Sequence, residues 1–182
     1  MNEADNFFSK MRGGAKSPPV VSLSEIFLSW VGAFAGISAV AFMNYNVFNE
    51  SDFVMIIGSF GASAVLIYGA IKSPLAQPRN LIGGHVISAL IGVASYQMLG
   101  STMWLASAVA VATSIAVMHA TKTLHPPGGA TALIAVIGSE KIHALGYMYA
   151  LVPVGAGAII MLLVALIVNN CAKSRKYPEF WL

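Results

Sequence analysis

Long apolar runs separated by short polar breaks dominate the chain. Five of them each approach the ~20 residues with which a helix spans a bilayer. They cover about residues 26–43, 53–71, 81–99, 103–121 and 144–169. A sixth stretch, at residues 126–138, is about a dozen residues long and too short to cross unless it begins below the membrane surface. The pattern predicts an all-α, polytopic transmembrane helical bundle of about six membrane segments, one of them a short broken or re-entrant helix.

Two local signals refine the first and last runs. Ser22 and Glu25 have the spacing of a capping box, in which the serine side chain accepts a hydrogen bond from the backbone three residues later. A helix should therefore begin at this point. Pro153 removes a backbone donor from the interior of the last run, so we expect a kink there.

Basic residues favour six crossings over the alternative of five crossings plus a re-entrant loop. Lysine and arginine concentrate in short cytoplasmic loops, and six crossings leave only Lys141 of the ten basic residues outside. The others are Lys10, Arg12, Lys16, Lys72, Arg79, Lys122, Lys173, Arg175 and Lys176. Both termini are then cytoplasmic. The predicted divisions are an N-terminal, interfacial segment at 1–22, a single transmembrane domain at 23–170, and a basic, aromatic tail at 171–182.

Composition also assigns the chain to a membrane. Hydrophobic residues make up 57% of its 182 residues and charged residues 9%. This is more apolar than the core of a soluble domain requires, so the composition favours a membrane protein. The net charge is +3, and the basic residues cluster at the ends of apolar runs. Membrane topology explains this distribution, so nucleic acid is not an expected partner. The single cysteine, Cys171, cannot form an internal disulfide and lies beside the basic tail, as on a reducing cytoplasmic face. We expect a lipid bilayer, that of a bacterial inner membrane.

A weak internal repeat surrounds two proline breaks. The second run ends Gly69-Ala-Ile-Lys72, breaks at Ser73-Pro-Leu-Ala-Gln-Pro-Arg-Asn80 and resumes at Gly83-Gly84. The fourth run ends His119-Ala-Thr-Lys122, breaks at His125-Pro-Pro127 and resumes at Gly128-Gly129. One crossing and its return separate the two breaks, so both fall on the same side, as in a parallel repeat. Chance similarity between helices rich in glycine and alanine is the alternative.

Four groups of residues carry a family resemblance. They are Gly58-Ser-Phe-Gly-Ala-Ser63, Ser73-Pro-Leu-Ala-Gln-Pro-Arg-Asn80 with Gly83-Gly84-His85, Leu124-His-Pro-Pro-Gly-Gly-Ala-Thr-Ala-Leu133, and Tyr177-Pro-Glu-Phe-Trp181. In this order they resemble the HPP family of small integral membrane proteins, named for the His-Pro-Pro motif. The resemblance covers residues 27 to 182. It implies nitrite transport, which is associated with chloroplast and cyanobacterial members, and four spans, which differs from the six predicted above.

Binding of a small anion is the chemistry that best suits these motifs. A helix that starts inside the membrane presents unpaired N–H groups and about half a positive charge, and glycine lets an ion approach closely. The predicted substrate-binding residues are Arg79, Asn80, Gly83, Gly84, His85, Lys122, His125, Gly128, Gly129 and Thr131. Tight helix packing is the alternative role for the glycine pairs, and hydrogen bonding within the bundle is the alternative for the histidines.

Three functions compete. The first is a carrier or channel for a small inorganic anion, with nitrite suggested by the resemblance and not by the spacing. The second is a non-transporting membrane scaffold or partner subunit. The third, an intramembrane metal or redox protein using His85, His119 and His125, is weakest because no HExxH motif or cysteine cluster accompanies them. We expect no enzymatic activity, metal or cofactor. Gly32 and Gly36 could join the first segment to another helix, within the chain or in a homo-oligomer.

Overall fold

The computed structural model describes residues 11, 13–47 and 55–182. Its helices are α1 (Leu23–Asn46), α2 (Ser59–Ala64), α3 (Pro78–Leu99), α4 (Met103–Ala120), α5 (Pro126–Ile137), α6 (Glu140–Leu145) and α7 (Ala156–Cys171). These residues form helices and turns without a strand, which confirms the all-α prediction. Lys10 and Arg12, on which part of the topology prediction rests, lie outside the described residues, as does half of the predicted segment 1–22.

Within the described residues, four helical stretches are long and apolar enough to cross a membrane. They are Leu23–Asn46, Pro78–Leu99, Met103–Ala120 and Glu140–Cys171. Two shorter apolar helices, Ser59–Gly69 and Pro126–Ile137, lie between them in the chain. The short helix after the His-Pro-Pro motif is therefore present with nearly the predicted bounds. Lengths alone do not assign the two short helices as crossings, so the count of six remains a prediction.

Helix α1 begins where the capping pattern indicated. Ser22 Oγ accepts a hydrogen bond from Glu25 N–H at 3.2 Å. The Glu25 carboxylate points toward the end of the chain, where its Oε2 accepts from Arg175 Nε at 2.9 Å. One half of the capping box therefore caps the helix, and the other half ties α1 to the C-terminal tail.

Helix α2 is shorter than the apolar run from 53 to 71 predicted. Residues 55–58 lead into it without helical structure, and 53 and 54 lie outside the described residues. Asn44 Oδ1 of α1 accepts hydrogen bonds from Met55 N–H at 2.8 Å and Ile56 N–H at 3.2 Å, so a side chain satisfies two backbone donors of this non-helical lead-in. After six residues α2 continues as a π-helical turn of five residues, Val65–Gly69. Together they span about half of the ~30 Å hydrocarbon thickness.

Pro153 interrupts the last apolar run, which confirms the predicted kink. Val152 has φ −133° and ψ 117°, the extended conformation that a following proline favours. The stretch Glu140–Cys171 is divided into α6, a 3-10 turn at Gly146–Ala150, a π-helical turn at Leu151–Gly155, and α7.

Tyr68 occupies the space that the glycines of α1 leave open. A Cβ placed on Gly32 would lie 2.7 Å from Tyr68 Cδ1, and the ring also covers Gly36. The Tyr68 hydroxyl donates to Met161 O of α7 at 3.0 Å. The small-residue pair is thus used within the chain, so it gives no support to a homo-oligomer.

The two helix–loop–helix units of the proposed repeat differ in proportion. The short α2 and its π-helical turn precede the 22-residue α3, whereas the 18-residue α4 precedes the 12-residue α5. The order of short and long helices is therefore opposite in the two units. The internal repeat remains a prediction.

The C-terminal tail folds back on the bundle. We call residues 70–77, before α3, the first loop. Tyr177 is buried and its hydroxyl donates to Ala76 O at 2.7 Å, while Glu179 N–H donates to Gln77 Oε1 at 2.8 Å. Burial raises the pKa of the Tyr177 phenol, so this hydroxyl stays protonated as a donor. Arg175 is also buried and pairs with Glu25 at 2.8 Å. The tail therefore fixes the first loop and the start of α1.

Candidate functional site

Two loops are joined through the first turn of α3. The first loop precedes α3, and a second loop, residues 121–125, connects α4 to α5. Arg79 Nη2 donates to Thr121 O at 2.7 Å, and Asn80 Nδ2 donates to Leu124 O at 2.8 Å. These two predicted binding residues therefore hold the second loop against the start of α3.

Three of the predicted glycines form a backbone-close contact between α3, α5 and the second loop. A Cβ on Gly84 would lie 2.5 Å from His125 Cβ and 2.8 Å from Thr123 O. A Cβ on Gly128 would lie 2.8 Å from Gly84 O, and one on Gly83 would lie 2.6 Å from Thr123 Cγ2. The space beside these glycines is filled by protein atoms, as in tight helix packing.

The start of α5 offers fewer free amide donors than a helix end usually does. Pro126 and Pro127 occupy its first two positions and carry no N–H. The Gly128 N–H donates to His125 O at 2.8 Å. An anion near this end would therefore depend on side-chain donors more than on the backbone.

A chain of buried hydrogen-bonding groups lies where α2, α3, α5 and the first loop meet. We call Ser59, Ser63, His85, His125 and Thr131 the polar centre, and each of them is at most 1% exposed. Ser63 Oγ lies 2.7 Å from His85 Nε2 and 2.8 Å from His125 Nε2. Ser63 lies on α2, His85 lies on α3, and His125 immediately precedes α5. One hydroxyl group therefore joins three elements.

The chain continues at both ends of this central trio. Toward the first loop, His125 Nδ1 lies 2.8 Å from Leu75 O. Toward the middle of the bundle, His85 Nδ1 lies 2.7 Å from Thr131 Oγ1, which donates to Ser59 Oγ at 2.8 Å. Thr131 Oγ1 also lies 3.3 Å from Pro127 O. The result is one linear series of side chains that begins at a backbone carbonyl.

Aromatic groups fix the orientation of the two imidazole rings. The His85 and His125 rings are 5.0 Å apart at 61°, and Phe60 meets His85 edge-on at 5.4 Å and 72°. Tyr149 OH donates to Thr131 O at 3.2 Å and holds that turn of α5 in place. Both histidine rings are therefore held by contacts between rings as well as by their nitrogen atoms.

Two predicted residues and one further histidine lie away from the polar centre. Lys122 is exposed, with φ 57°, in the second loop. Gly129 and His119 line a lateral, largely apolar cavity of about 570 Å³ between α4 and α5. The structure brings His85, His125 and Thr131 together, places Arg79, Asn80, Gly83, Gly84 and Gly128 around them, and leaves Lys122 and Gly129 apart.

The polar centre consists of hydroxyl and imidazole groups. In the described part of the chain, no three histidine, cysteine or acidic residues come close enough together to hold a metal ion. Hydroxyl and imidazole groups can each donate and accept, so this series can pass a hydrogen-bond direction, and a proton with it, along its length.

Sequence reasoning did not include Ser59 and Ser63 among the site residues. Their signal is the i, i+4 spacing within Gly58-Ser-Phe-Gly-Ala-Ser63, which places both hydroxyls on one face of α2. The Leu75 carbonyl carries no sequence signal. Its role depends on the first loop reaching the second, which only the fold determines.

An all-helical bundle with four membrane-length helices and a buried polar centre defines a polytopic integral membrane protein. The chain belongs to the HPP family, because the family model "HPP, transmembrane region" matches residues 18–178. Two similar proteins are transmembrane proteins of Dictyostelium discoideum, 51% identical over 179 residues and 46% identical over 180. Each alignment covers 96% of this chain, which spans 57% and 63% of the two relatives.

No solved structure matches this chain. Both relatives come from a eukaryote, so they lend no support to a bacterial inner membrane. Their names give a membrane location and no substrate. Family membership and the apolar helices support an integral membrane protein.

Proposed function

We propose that this protein carries or conducts a small inorganic anion across a membrane, with nitrite as the first substrate to test. The observation that carries the proposal is the fully buried His85–Ser63–His125 cluster inside a membrane bundle. Ionisable side chains at membrane depth are costly, and they commonly mark substrate pathways or proton relays. Nitrite itself comes from the family resemblance.

The two short helices support a transport site. Non-helical backbone within a membrane is tolerated where protein buries it or where it lines a wet cavity, and transporters place binding sites at such interrupted helices. Ser59 begins α2, Thr131 lies in the second turn of α5, and the two side chains are bonded at 2.8 Å. The interrupted helices thus converge on the polar centre.

Basic groups beside the loops would attract an anion to this end of the bundle. A cavity of about 470 Å³ adjoins the first loop and is lined by Lys72, Ser73 and Arg175, together with Glu25. The Arg175 charge is offset by Glu25, which leaves Lys72 as the cationic group of that wall. Arg79 lies at the other edge of the loop. We propose six crossings, with both loops and both ends of the chain cytoplasmic.

A scaffold or partner-subunit role is the second candidate, and the glycine contacts favour it. Close approach of α3 and α5 at Gly84 and Gly128 makes this part of the bundle tightly packed. A purely structural polar centre would stabilise the fold without moving any solute. The two proposals differ in one respect that can be measured, which is flux through purified protein.

Uptake of nitrite into proteoliposomes that contain only this protein tests the proposal. Nitrate and chloride serve as comparison anions, and protein-free vesicles measure the leak of nitrous acid. We expect saturable, protein-dependent nitrite uptake above that leak. Folded protein that moves none of the three anions would overturn the proposal and favour the scaffold.

A further inference from the structure

The polar centre has five successive contacts, and each needs one hydrogen atom. In order they join Leu75 O to His125, His125 to Ser63, Ser63 to His85, His85 to Thr131, and Thr131 to Ser59. Their lengths lie between 2.7 and 2.8 Å, so none is a loose contact. The number of available hydrogen atoms then decides which group is the donor in each contact.

The Leu75 carbonyl sets the direction in the uncharged state. A carbonyl only accepts, so His125 Nδ1 must donate to it and a neutral His125 must accept at Nε2. Ser63 then donates its only hydroxyl hydrogen to His125 Nε2, so it must accept a hydrogen bond from His85 Nε2. A neutral His85 therefore accepts at Nδ1, and Thr131 must donate to it. All hydrogens point toward the first loop.

The uncharged arrangement is complete when Ser59 donates to Thr131, and the same five contacts can also be filled in the opposite direction. Thr131 has one hydroxyl hydrogen, which it can give either to His85 Nδ1 or to Ser59 Oγ. If Thr131 donates to Ser59, His85 Nδ1 must donate to Thr131, Ser63 must donate to His85, and His125 must donate from both nitrogens. Every contact is then filled, and the series holds one additional proton on His125.

We propose that the polar centre is a proton relay that stores one proton on His125. A proton reaching Ser59 passes along the series as each group gives its hydrogen to the next, toward the first loop. Ser59 gives to Thr131, Thr131 to His85 Nδ1, His85 Nε2 to Ser63, and Ser63 to His125 Nε2. Each O–H or N–H bond broken is replaced by one formed, so the only net change is one positive charge on His125.

The Leu75 carbonyl ends the relay, because a carbonyl cannot pass the proton on. Release to the loop side therefore requires His125 to separate from Leu75. The first loop is held in turn by the tail, through Tyr177 OH to Ala76 O at 2.7 Å and Glu179 N–H to Gln77 Oε1 at 2.8 Å. A proton on His125 cannot leave on the loop side while these contacts hold, and it can only return toward Ser59.

Few other charged groups of the described chain face the relay. The titratable or charged residues on the surrounding elements are Tyr68, Lys72, Arg79, Tyr96, His119, Lys122, Tyr147, Tyr149, Lys173, Arg175, Lys176, Tyr177 and Glu179. Tyr96 stacks on His143, and Arg175 pairs with Glu25. Tyr68 donates to Met161 O, Tyr149 donates to Thr131 O, and Arg79 donates to Thr121 O. Tyr177 and Glu179 bond the first loop, and His119 lines the lateral cavity. The stored proton therefore belongs to the two buried histidines.

The relay deepens the proposed function and rests on it for its purpose. An anion that moves with one proton crosses without net charge, which removes the largest electrostatic cost of passing a bilayer. Water, or the conjugate acid of the anion, supplies the proton at Ser59. The relay itself is tested independently of any flux.

Nitrogen-15 NMR of histidine-labelled full-length protein in lipid bilayers tests the relay directly, because each imidazole nitrogen reports whether it carries a hydrogen. Signals of His119 and His143 are removed with the double variant His119→Gln, His143→Gln. As pH falls, we expect His125 to gain its second N–H while His85 changes from the Nε2–H to the Nδ1–H form, at one shared midpoint. Two histidines that titrate separately, or neither changing, would overturn the proposal.

Ser63→Ala removes the shared hydroxyl and should uncouple the two histidines, so that their midpoints separate by about one pH unit or more. Ser114→Ala is the matched control, because Ser114 is buried on α4 and its hydroxyl has no hydrogen-bond partner in the structure. Thr131→Val replaces Ser63→Ala if the latter fails to fold. A shared midpoint that persists in the folded variant, Ser63→Ala or its replacement, would contradict the relay. Coupled titration without flux would overturn anion transport alone, and flux with separate titrations would overturn the relay alone.

Discussion

His85 and His125 share a single hydroxyl group, that of Ser63, at 2.7 Å and 2.8 Å. The two histidines are 40 residues apart in the chain, and Ser63 lies 22 residues before the first of them. A buried polar group that loses its hydrogen-bond partner lowers the stability of the fold by about 1–3 kcal/mol. Removal of this hydroxyl should therefore leave a nitrogen atom of each ring without its partner. The trio thus couples α2, α3 and the start of α5.

Gly128→Ala should destabilise the protein, whereas Gly129→Ala next to it should not. A Cβ at position 128 would lie 2.8 Å from both Gly84 O and Ser88 Oγ, so α3 and α5 would have to separate. We expect a cost of about 1–3 kcal/mol, typical of an overfilled core. A Cβ at position 129 would meet Val111 Cγ1 at an ordinary 3.8 Å. Thermal unfolding in detergent checks this, and equal midpoints for the two variants would contradict the packing.

Arg175→Gln should destabilise the tail and the bundle together. Arg175 bonds Glu25, Tyr68 O, Asn169 Oδ1 and Ser29 Oγ, so its removal leaves several partners unsatisfied. We expect a loss on the order of 2–3 kcal/mol. Lys176→Gln, at an exposed neighbour, is the control and should change stability by less than about 0.5 kcal/mol. Unfolding midpoints and limited proteolysis of the tail measure both, and indistinguishable results would refute the role of Arg175.

Even and odd numbers of crossings can be separated with two cysteines. Cys171 is free and exposed, and Ser17 is exposed before α1. Six crossings place both positions on the cytoplasmic side. A membrane-impermeant maleimide should therefore label native Cys171, and Ser17→Cys in a Cys171→Ser background, in inside-out vesicles only. Labelling of the two positions from opposite sides would show an odd number of crossings.

Arg79→Ala should lower nitrite flux more than Lys122→Asn does. Arg79 bonds Thr121 O at 2.7 Å and holds the second loop, whose last residue is His125. Loss of such a charged hydrogen bond is worth about 1.5–3 kcal/mol, so we expect roughly a tenfold reduction or more. Lys122 is exposed with φ 57°, a conformation that asparagine tolerates. Equal nitrite flux through both variants, with equal amounts of folded protein, would contradict a role for Arg79 in the site.

Local sequence patterns predicted the parts of the fold that depend on near neighbours. Ser22 caps α1, Pro126 begins the short helix, and Pro153 interrupts the last run, because each acts on the backbone within a few residues. The length of α2 was not predictable in this way. Its late start depends on Asn44, which lies on another helix and satisfies the lead-in.

The candidate site was predictable in part for the same reason. His85, His125 and Thr131 belong to recognisable motifs, and the structure brings them together. Ser63 lies in a motif whose small residues indicate packing equally well, so its contact with both histidines needed the three-dimensional fold. Arg175 was assigned to topology by its charge, yet it is buried against Glu25, because the tail turns back in a way that local charge does not encode.

Nitrite flux into proteoliposomes containing wild-type protein, Ser63→Ala or Ser114→Ala tests most directly whether the polar centre is the transport site. All three proteins should be monodisperse and helical before flux is compared. We expect saturable flux through the wild type and Ser114→Ala, and at least about a tenfold loss in Ser63→Ala, as the loss of ~1.4 kcal/mol would give. Equal flux through all three, or no flux through any of them, would contradict this account.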